Sequence, residues 1–255
     1  MRYRQFTPAP DLQHAVEHYW LLEGVSQGIE RIFPDGHCEL AIHLGDRVAG
    51  QPNTLWIGQL RQCVDIAPSG ILRVFGVRML PEAAMLAAPR IEEIVDLAGV
   101  WPGVPDWRQR LGSAASISEM SSLTDKFLRS KLTQRSPDQR VARAVRLLQQ
   151  HCRLDSVAST LGLSPGQLQS LFQAHVGMEP KLFARIARFQ RALQAERTTD
   201  FNWTRIAHDC GYYDQAHLIS DFWEFKGEAP TGRPVSAMGD CLAARRGPQC
   251  VHPPT

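Results

Sequence analysis

A duplication in the second half of the chain limits its possible folds more than any other feature. SVASTLGLSPGQLQSLFQAHVGMEP, residues 156–180, aligns with RIAHDCGYYDQAHLISDFWEFKGEAP, residues 205–230. Val157, Ala158 and Gly162 correspond to Ile206, Ala207 and Gly211 at an offset of 49. One residue is then inserted, and Leu168, Phe172, Gly177 and Pro180 correspond to Leu218, Phe222, Gly227 and Pro230 at an offset of 50. A repeat of this kind places one supersecondary unit twice. Each copy predicts a short helix whose small Ala admits a close neighbour, then a Gly able to take positive φ and a tight turn. A second helix follows, opened by Ser164-Pro165 in one copy and Asp214 in the other. It buries Leu and Phe four residues apart and stops at Gly. Cys210 stands where the first copy has Leu161, so packing explains it. With Asp214 and His217 it lacks the second Cys/His pair of a zinc site, and no metal is expected.

Helix, Gly-containing turn, helix is the arrangement whose second helix enters the DNA major groove. The paired units and the long helix between them (PKLFARIARFQRALQAE, 180–196) resemble the DNA-binding domain of AraC/XylS-type transcriptional regulators. The resemblance rests on Leu161-Gly162-Leu163-Ser164-Pro165, Leu171-Phe172, Gly177-Met178-Glu179-Pro180, Arg188-Phe189-Gln190-Arg191-Ala192, Ile206-Ala207, Gly211-Tyr212, Asp214-Gln215, Gly227 and Pro230. It covers residues 137–234 and implies a rigid tandem reader of double-stranded promoter DNA, its recognition helices about one helical turn (~34 Å) apart. The implied function is sequence-specific transcription regulation in response to a signal. A degenerate regulator that docks a protein partner is the alternative. RNA polymerase is the partner of an activator, and a small-molecule effector and a homodimer are further partners the resemblance allows.

With Leu168, Leu171 and Phe172 facing inward, Gly166, Gln167, Gln169, Ser170 and Gln173 face outward on the first recognition helix. Leu218, Phe222 and Phe225 leave Gln215, His217, Ser220 and Trp223 outward on the second. The expected base contacts are Gln167, Gln169, Ser170, Gln173, Gln215, His217 and Ser220, because Gln pairs bidentately with adenine and Ser or His bonds either base type. The family often has Arg or Lys where this chain has Gly166, Ser170, Gln173, Ser220, Trp223 and Glu224, so a weakened phosphate grip is expected. The remaining cations spaced along one helix face, Lys181, Arg185 and Arg188, together with Arg143, are the expected phosphate contacts.

The first half reads differently. Pro34-Asp35-Gly36 signals a turn, after which Cys38, Leu40, Ile42 and Leu44 alternate. TLWIGQL and GILRVFGVRML are two more β-rich runs, and in the second Val74, Gly76 and Arg78 form a face distinct from Phe75, Val77 and Met79. A small, cupin-like barrel or sandwich is expected. His37, Glu39, Ala41 and His43 share one strand face. His37, Glu39 and His43 read as an outward polar row, and with Arg78 they are the candidate effector-binding residues. Residues 81–135 turn helical with a break at Trp101–Pro105, and Met120, Leu123, Phe127 and Leu128 form an inward stripe. The first half also resembles the β-rich sensor domain that precedes some of these regulators.

The expected fold class is therefore α+β. Residues 1–135 form a β-rich sensor with a helical end, 136–234 the tandem helix-turn-helix domain, and 235–255 a loosely ordered tail. The linker falls at 133–137, with Ser136 as cap and Pro137 opening the next helix.

Charge supports this division only mildly. Residues 1–135 carry 14 Lys/Arg and 15 Asp/Glu, and residues 136–255 carry 14 and 11. Six cysteines without a CxxC pair suit a reducing compartment. Charges interrupt every apolar stretch near the N-terminus, so a cytoplasmic location without membrane contact is expected. No P-loop, dinucleotide fingerprint, nucleophile elbow or His-Glu-x-x-His is present, and neither a catalytic residue nor a cofactor is expected.

Overall fold

A computed structural model describes residues 1–46, 51–87, 94–132, 136–196 and 202–230. Linker residues 133–135 and the tail 235–255 lie outside these. The described residues of the first half hold eight strands: β1 (Arg2–Phe6), β2 (Val16–Gln27), β3 (Glu30–Ile32), β4 (Glu39–His43), β5 (Thr54–Ile57), β6 (Val64–Ile66), β7 (Ser69–Met79) and β8 (Ile94–Asp96). Six form one antiparallel sheet in the order β1-β2-β7-β4-β5-β8, and β3 and β6 form a separate ribbon. The arrangement is a sandwich, open rather than closed into a barrel.

Alternation along the strands divides the apolar residues into two layers. Tyr19, Leu21, Leu40, Ile42, Trp56, Phe75, Val77 and Met79 pack on one face. They meet the helices α1 (Ala84–Ala87), α2 (Leu97–Val100), α3 (Val104–Ser113) and α4 (Ile117–Arg129). In this layer Trp107 stacks on Phe127 at 4.3 Å, and the Tyr19 hydroxyl donates to Asp125 at 2.7 Å. The break at Trp101–Pro105 thus carries a buried Trp101 into the core, and Met120 and Leu128 point inward as their spacing predicts. On the other face Trp20, Leu22, Ala41, Leu55, Ile57 and Val74 meet Ile66 of the ribbon.

Trp20 lies across the strand from Gly76, and a Cβ there would come 1.8 Å from the indole. Gly76→Ala should therefore cost about 1–3 kcal/mol by overpacking. Urea unfolding checks this, with a shifted Trp emission in the folded state as the accompanying sign.

The second half is helical: α5 (Gln139–Gln149), α6 (Leu154–Thr160), α7 (Pro165–Val176), α8 (Pro180–Ala195), α9 (Trp203–Asp209) and α10 (Gln215–Lys226). Phe172, Phe183, Phe189, Phe222 and Phe225 fill its core with Val141, Val145 and Leu148 of α5. One cap differs from the sequence expectation. Helix α5 begins two residues later than Ser136-Pro137 suggests, because the Asp138 side chain accepts from the Arg140 N–H and serves as the cap.

The two halves meet along a continuous seam. Phe33 packs edge-on to Phe189 at 6.2 Å, and the Gln190 amide donates to the Pro34 carbonyl at 2.6 Å. Gly36, at φ 78°, brings its backbone so close to Phe183 that a Cβ would lie 2.6 Å from the ring. The end of α10 joins the seam through the Lys226 carbonyl, which accepts from the Cys63 thiol at 3.2 Å.

Candidate nucleic-acid interface and ligand pocket

The two helix-turn-helix units are built by local chemistry. Ser164 and Gln167 form a reciprocal capping box at the start of α7, and Asp214 caps α10 through the His217 N–H. Gly162 and Gly211, at φ 66° and 81°, turn the chain between the helices, and Gly177 and Gly227 end the recognition helices in the same left-handed region. Leu168, Phe172, Leu218, Phe222 and Phe225 are buried, which leaves the opposite faces of α7 and α10 to solvent.

The expected base contacts fall into two groups. Gln169, Ser170 and Ser220 are exposed without a side-chain role inside the domain among the described contacts. The other four already serve the fold. Gln167 accepts from the Ser164 N–H at 2.8 Å, and the Gln173 amide donates to the Gly177 carbonyl at 2.8 Å. Gln215 accepts from the Thr204 hydroxyl at 3.3 Å, and the His217 ring sits edge-on to Tyr212.

The cations divide similarly. Lys181 and Arg143 are exposed. Arg188 lies over the Tyr212 ring at 5.1 Å and reaches the Gly211 carbonyl. Arg185 is not a free cation: its guanidinium holds Asp221 at 2.7 Å and also Glu224, which keep it protonated. Its charge is spent within the domain, bracing α8 against α10. Beside these residues, Trp223 is 58% exposed and Tyr213 is 94% exposed.

The second site lies where the sandwich meets α8. A cavity of about 90 Å³ opens between the pocket face of the sheet, the ribbon and α8. Strand residues Trp20, Leu55 and Val74 line it together with Gln190 and Leu193 of α8. His37, Glu39 and His43 also line it, and all three are buried, which corrects the expectation of an outward polar row. They can lie inside because Arg78, directly across from Glu39, supplies the balancing charge. Arg78 donates to Glu39 at 2.6 Å and to Glu17 at 2.8 Å, and pairs with Asp35 at 2.7 Å. Arg78 itself stands behind the wall of the cavity rather than on it. Burial and then the nearby Arg108 hold the His43 imidazole below its usual pKa, in the neutral form.

Cys210 sits in the helical core, where burial pushes its thiol upward. Among the described residues no group of three His, Cys, Asp or Glu is placed to hold a metal. No described helix is long and apolar enough to cross a membrane.

Two capped helix pairs joined by α8 define a helix-turn-helix DNA-binding protein. Residues 157–232 match the family described as a helix-turn-helix domain. Residues 4–94 match a domain of unknown function (DUF6597). Among solved structures, a probable AraC family transcriptional regulator from Rhodopseudomonas palustris is 22% identical over 38% of this chain and 100% of its own, with a TM-score of 0.34. ToxT from Vibrio cholerae is 8% identical over 95% of this chain and 97% of its own, with a TM-score of 0.44. The DNA-binding domain of the global transcriptional factor AdpA, in complex with a target DNA, is 23% identical over 44% of this chain and 95% of its own, with a TM-score of 0.32. No curated protein matches the chain.

Proposed function

We propose that the chain is a sequence-specific regulator that binds promoter DNA with residues 136–234 and takes a small ligand into the pocket of residues 1–135. The observation that carries this reading is the shared wall of the cavity. Gln190 and Leu193 belong to the helix that joins the two DNA-reading units, and they face strand residues of the other half. A ligand that binds one arrangement of the seam better than another shifts the units by that difference in affinity. In this reading Gln169, Ser170 and Ser220 contact bases first. Gln167, Gln173, Gln215 and His217 join them to the extent that their capping and packing roles leave atoms available. Lys181, Arg143 and Arg188 contact phosphates, with Arg185 in support.

Fluorescence polarisation on DNA from the chain's own promoter region tests the reading. Binding at ~50 mM salt that falls as salt is raised supports it. No binding at that salt overturns it and favours protein docking through Trp223 and Tyr213. Ser170→Arg with Ser220→Arg adds two cations to the recognition faces. The expected result is tighter binding and a salt dependence steeper by about 0.9 for each new phosphate contact. An unchanged slope in the double variant removes α7 and α10 from the interface.

A further inference from the structure

Resting on the reading of the chain as a DNA binder with two recognition helices, we infer that residues 59–63, between β5 and β6, are a positioning segment. They hold the ends of α7 and α10 at one separation, and so set which spacing of DNA half-sites the chain accepts.

The segment touches both units at the same point of the repeat. Gly177 and Gly227, equivalent at an offset of 50, end the two recognition helices at φ 90° and 77°. A Cβ on Gly177 would lie 3.4 Å from the Gln59 side-chain oxygen, and one on Gly227 would lie 3.8 Å from the Cys63 sulfur. Both ends of the segment are fastened. Gln59 is buried and its amide donates to the Gly36 carbonyl at 3.2 Å, while the Cys63 thiol donates to the Lys226 carbonyl at 3.2 Å. Between them, Arg61 and Gln62 line a cleft with Lys181 at the start of α8 and Glu224 of α10. Four residue steps span at most about 14 Å, so the segment is a short strut and not a slack tether.

A strut here adds a restraint that α8 does not supply. Phe183 and Phe189 of α8 pack on Phe172 of α7 and Phe222 of α10, which joins the two recognition helices in series. A small slip in either packing surface changes their separation. The segment joins the two outer members directly, and a closed ring of contacts resists such slips better than an open chain. A further tie between the units, Arg191 donating to the carbonyls of Gln149 and Cys210, lies beside the start of α10. That point is 12 residues, about 18 Å, from the end held by Cys63. On DNA, each base pair added between half-sites moves the second by about 3.4 Å and turns it by about 34°. Two recognition helices fixed at one separation therefore fit one spacing and reject its neighbours. Gly58 and Leu60 of the same stretch line the cavity, so a ligand there abuts the segment that holds both helices.

Hydrogen exchange and DNA selection on the full chain test the inference. The main variant inserts Gly-Gly between Arg61 and Gln62, both exposed, where an insertion leaves the fold intact. Amides in the last turns of α7 and α10 should then exchange about tenfold faster, with their first turns unchanged. Unchanged exchange at either helix end overturns the strut. Selection from random duplexes of about 30 base pairs reads the spacing. The parent should favour one half-site spacing over those one base pair longer or shorter by at least about tenfold, and the insertion should reduce this to about threefold or less. A variant that binds DNA with the parent's preference overturns the inference and leaves the regulatory reading standing. Cys63→Ala should flatten the preference part-way, and Cys63→Ser, which keeps a donor for the Lys226 carbonyl, should restore it. Equal effects of the two overturn the assignment of Cys63 as the fastening point. If the parent enriches no DNA, the regulatory reading fails and the spacing role with it, and exchange alone decides whether the strut stands.

Discussion

Arg78→Met should lower stability by about 3–5 kcal/mol near neutral pH, with the loss shrinking as the pH falls toward about 4. The Arg78 side chain is 7% exposed and is the shared partner of Glu17, Asp35 and Glu39. Its removal leaves three carboxylates around a site from which their cation has gone. In the parent chain burial raises the Glu17 pKa, but Arg78, then His37 and His18, outweigh burial and hold it below its ordinary value. A lowered carboxyl pKa contributes stability above the unfolded value and loses it as pH falls through the folded one. The variant reverses this sign. Carboxylates left in a poorly hydrated site without a cation take up protons more readily when folded than when unfolded, so acid relieves the strain. Glu17 keeps 42% of its side chain exposed and contributes the smaller part. Urea midpoints of both proteins from pH 4 to 8 provide the check. A stability difference that does not change with pH would show that Arg78 acts through packing instead.

The same cluster shows where sequence reading fails. Glu39 and Arg78 are 39 residues apart, and their pairing follows from the β4–β7 register. A row of His and Glu on one strand therefore looks outward until its cross-strand cation is known. Strand β2 escapes notice for a related reason. In Tyr19-Trp20-Leu21-Leu22 the odd positions face the helices and the even ones face the pocket, so two buried faces erase the period-two pattern. Phosphate contact by Arg185 was expected from the spacing of cations on α8, but the carboxylates that hold it come from α10. What was legible was local. Ser164 and Asp214 cap α7 and α10, and Gly162, Gly211, Gly177 and Gly227 take positive φ where the repeat requires it. These interactions span only a few residues, so the sequence pattern contains them whole. Ser136-Pro137-Asp138 is the local exception: two cap residues compete there, and the side-chain bond of Asp138 decides.

Lys226→Met should cost about 3–5 kcal/mol, and most of that loss should return when Glu196→Leu is added. Lys226 and Glu196 have side chains 4% and 0% exposed, with Nζ 2.9 and 3.1 Å from the two carboxylate oxygens. Removing the lysine alone leaves a fully enclosed carboxylate without its cation. Glu228, at 3.3 Å from Nζ but 47% exposed, can turn to water and loses little. Replacing both members by apolar side chains removes the charge and its desolvation cost together, and such swaps are commonly neutral or stabilising. The four proteins of the cycle, unfolded in urea, give the coupling directly. A double variant as unstable as Lys226→Met would instead assign the loss to the lysine stem, whose ammonium lies 5.6 Å from the Phe222 ring centroid. The position matters because the Lys226 carbonyl also receives the Cys63 thiol and the Arg31 guanidinium from the other half. A lysine that ends a recognition helix is thus fixed by charge to the helix joining the two units and by its backbone to the sandwich. Loosening it should free the second unit before the first, as faster amide exchange along α10 than along α7.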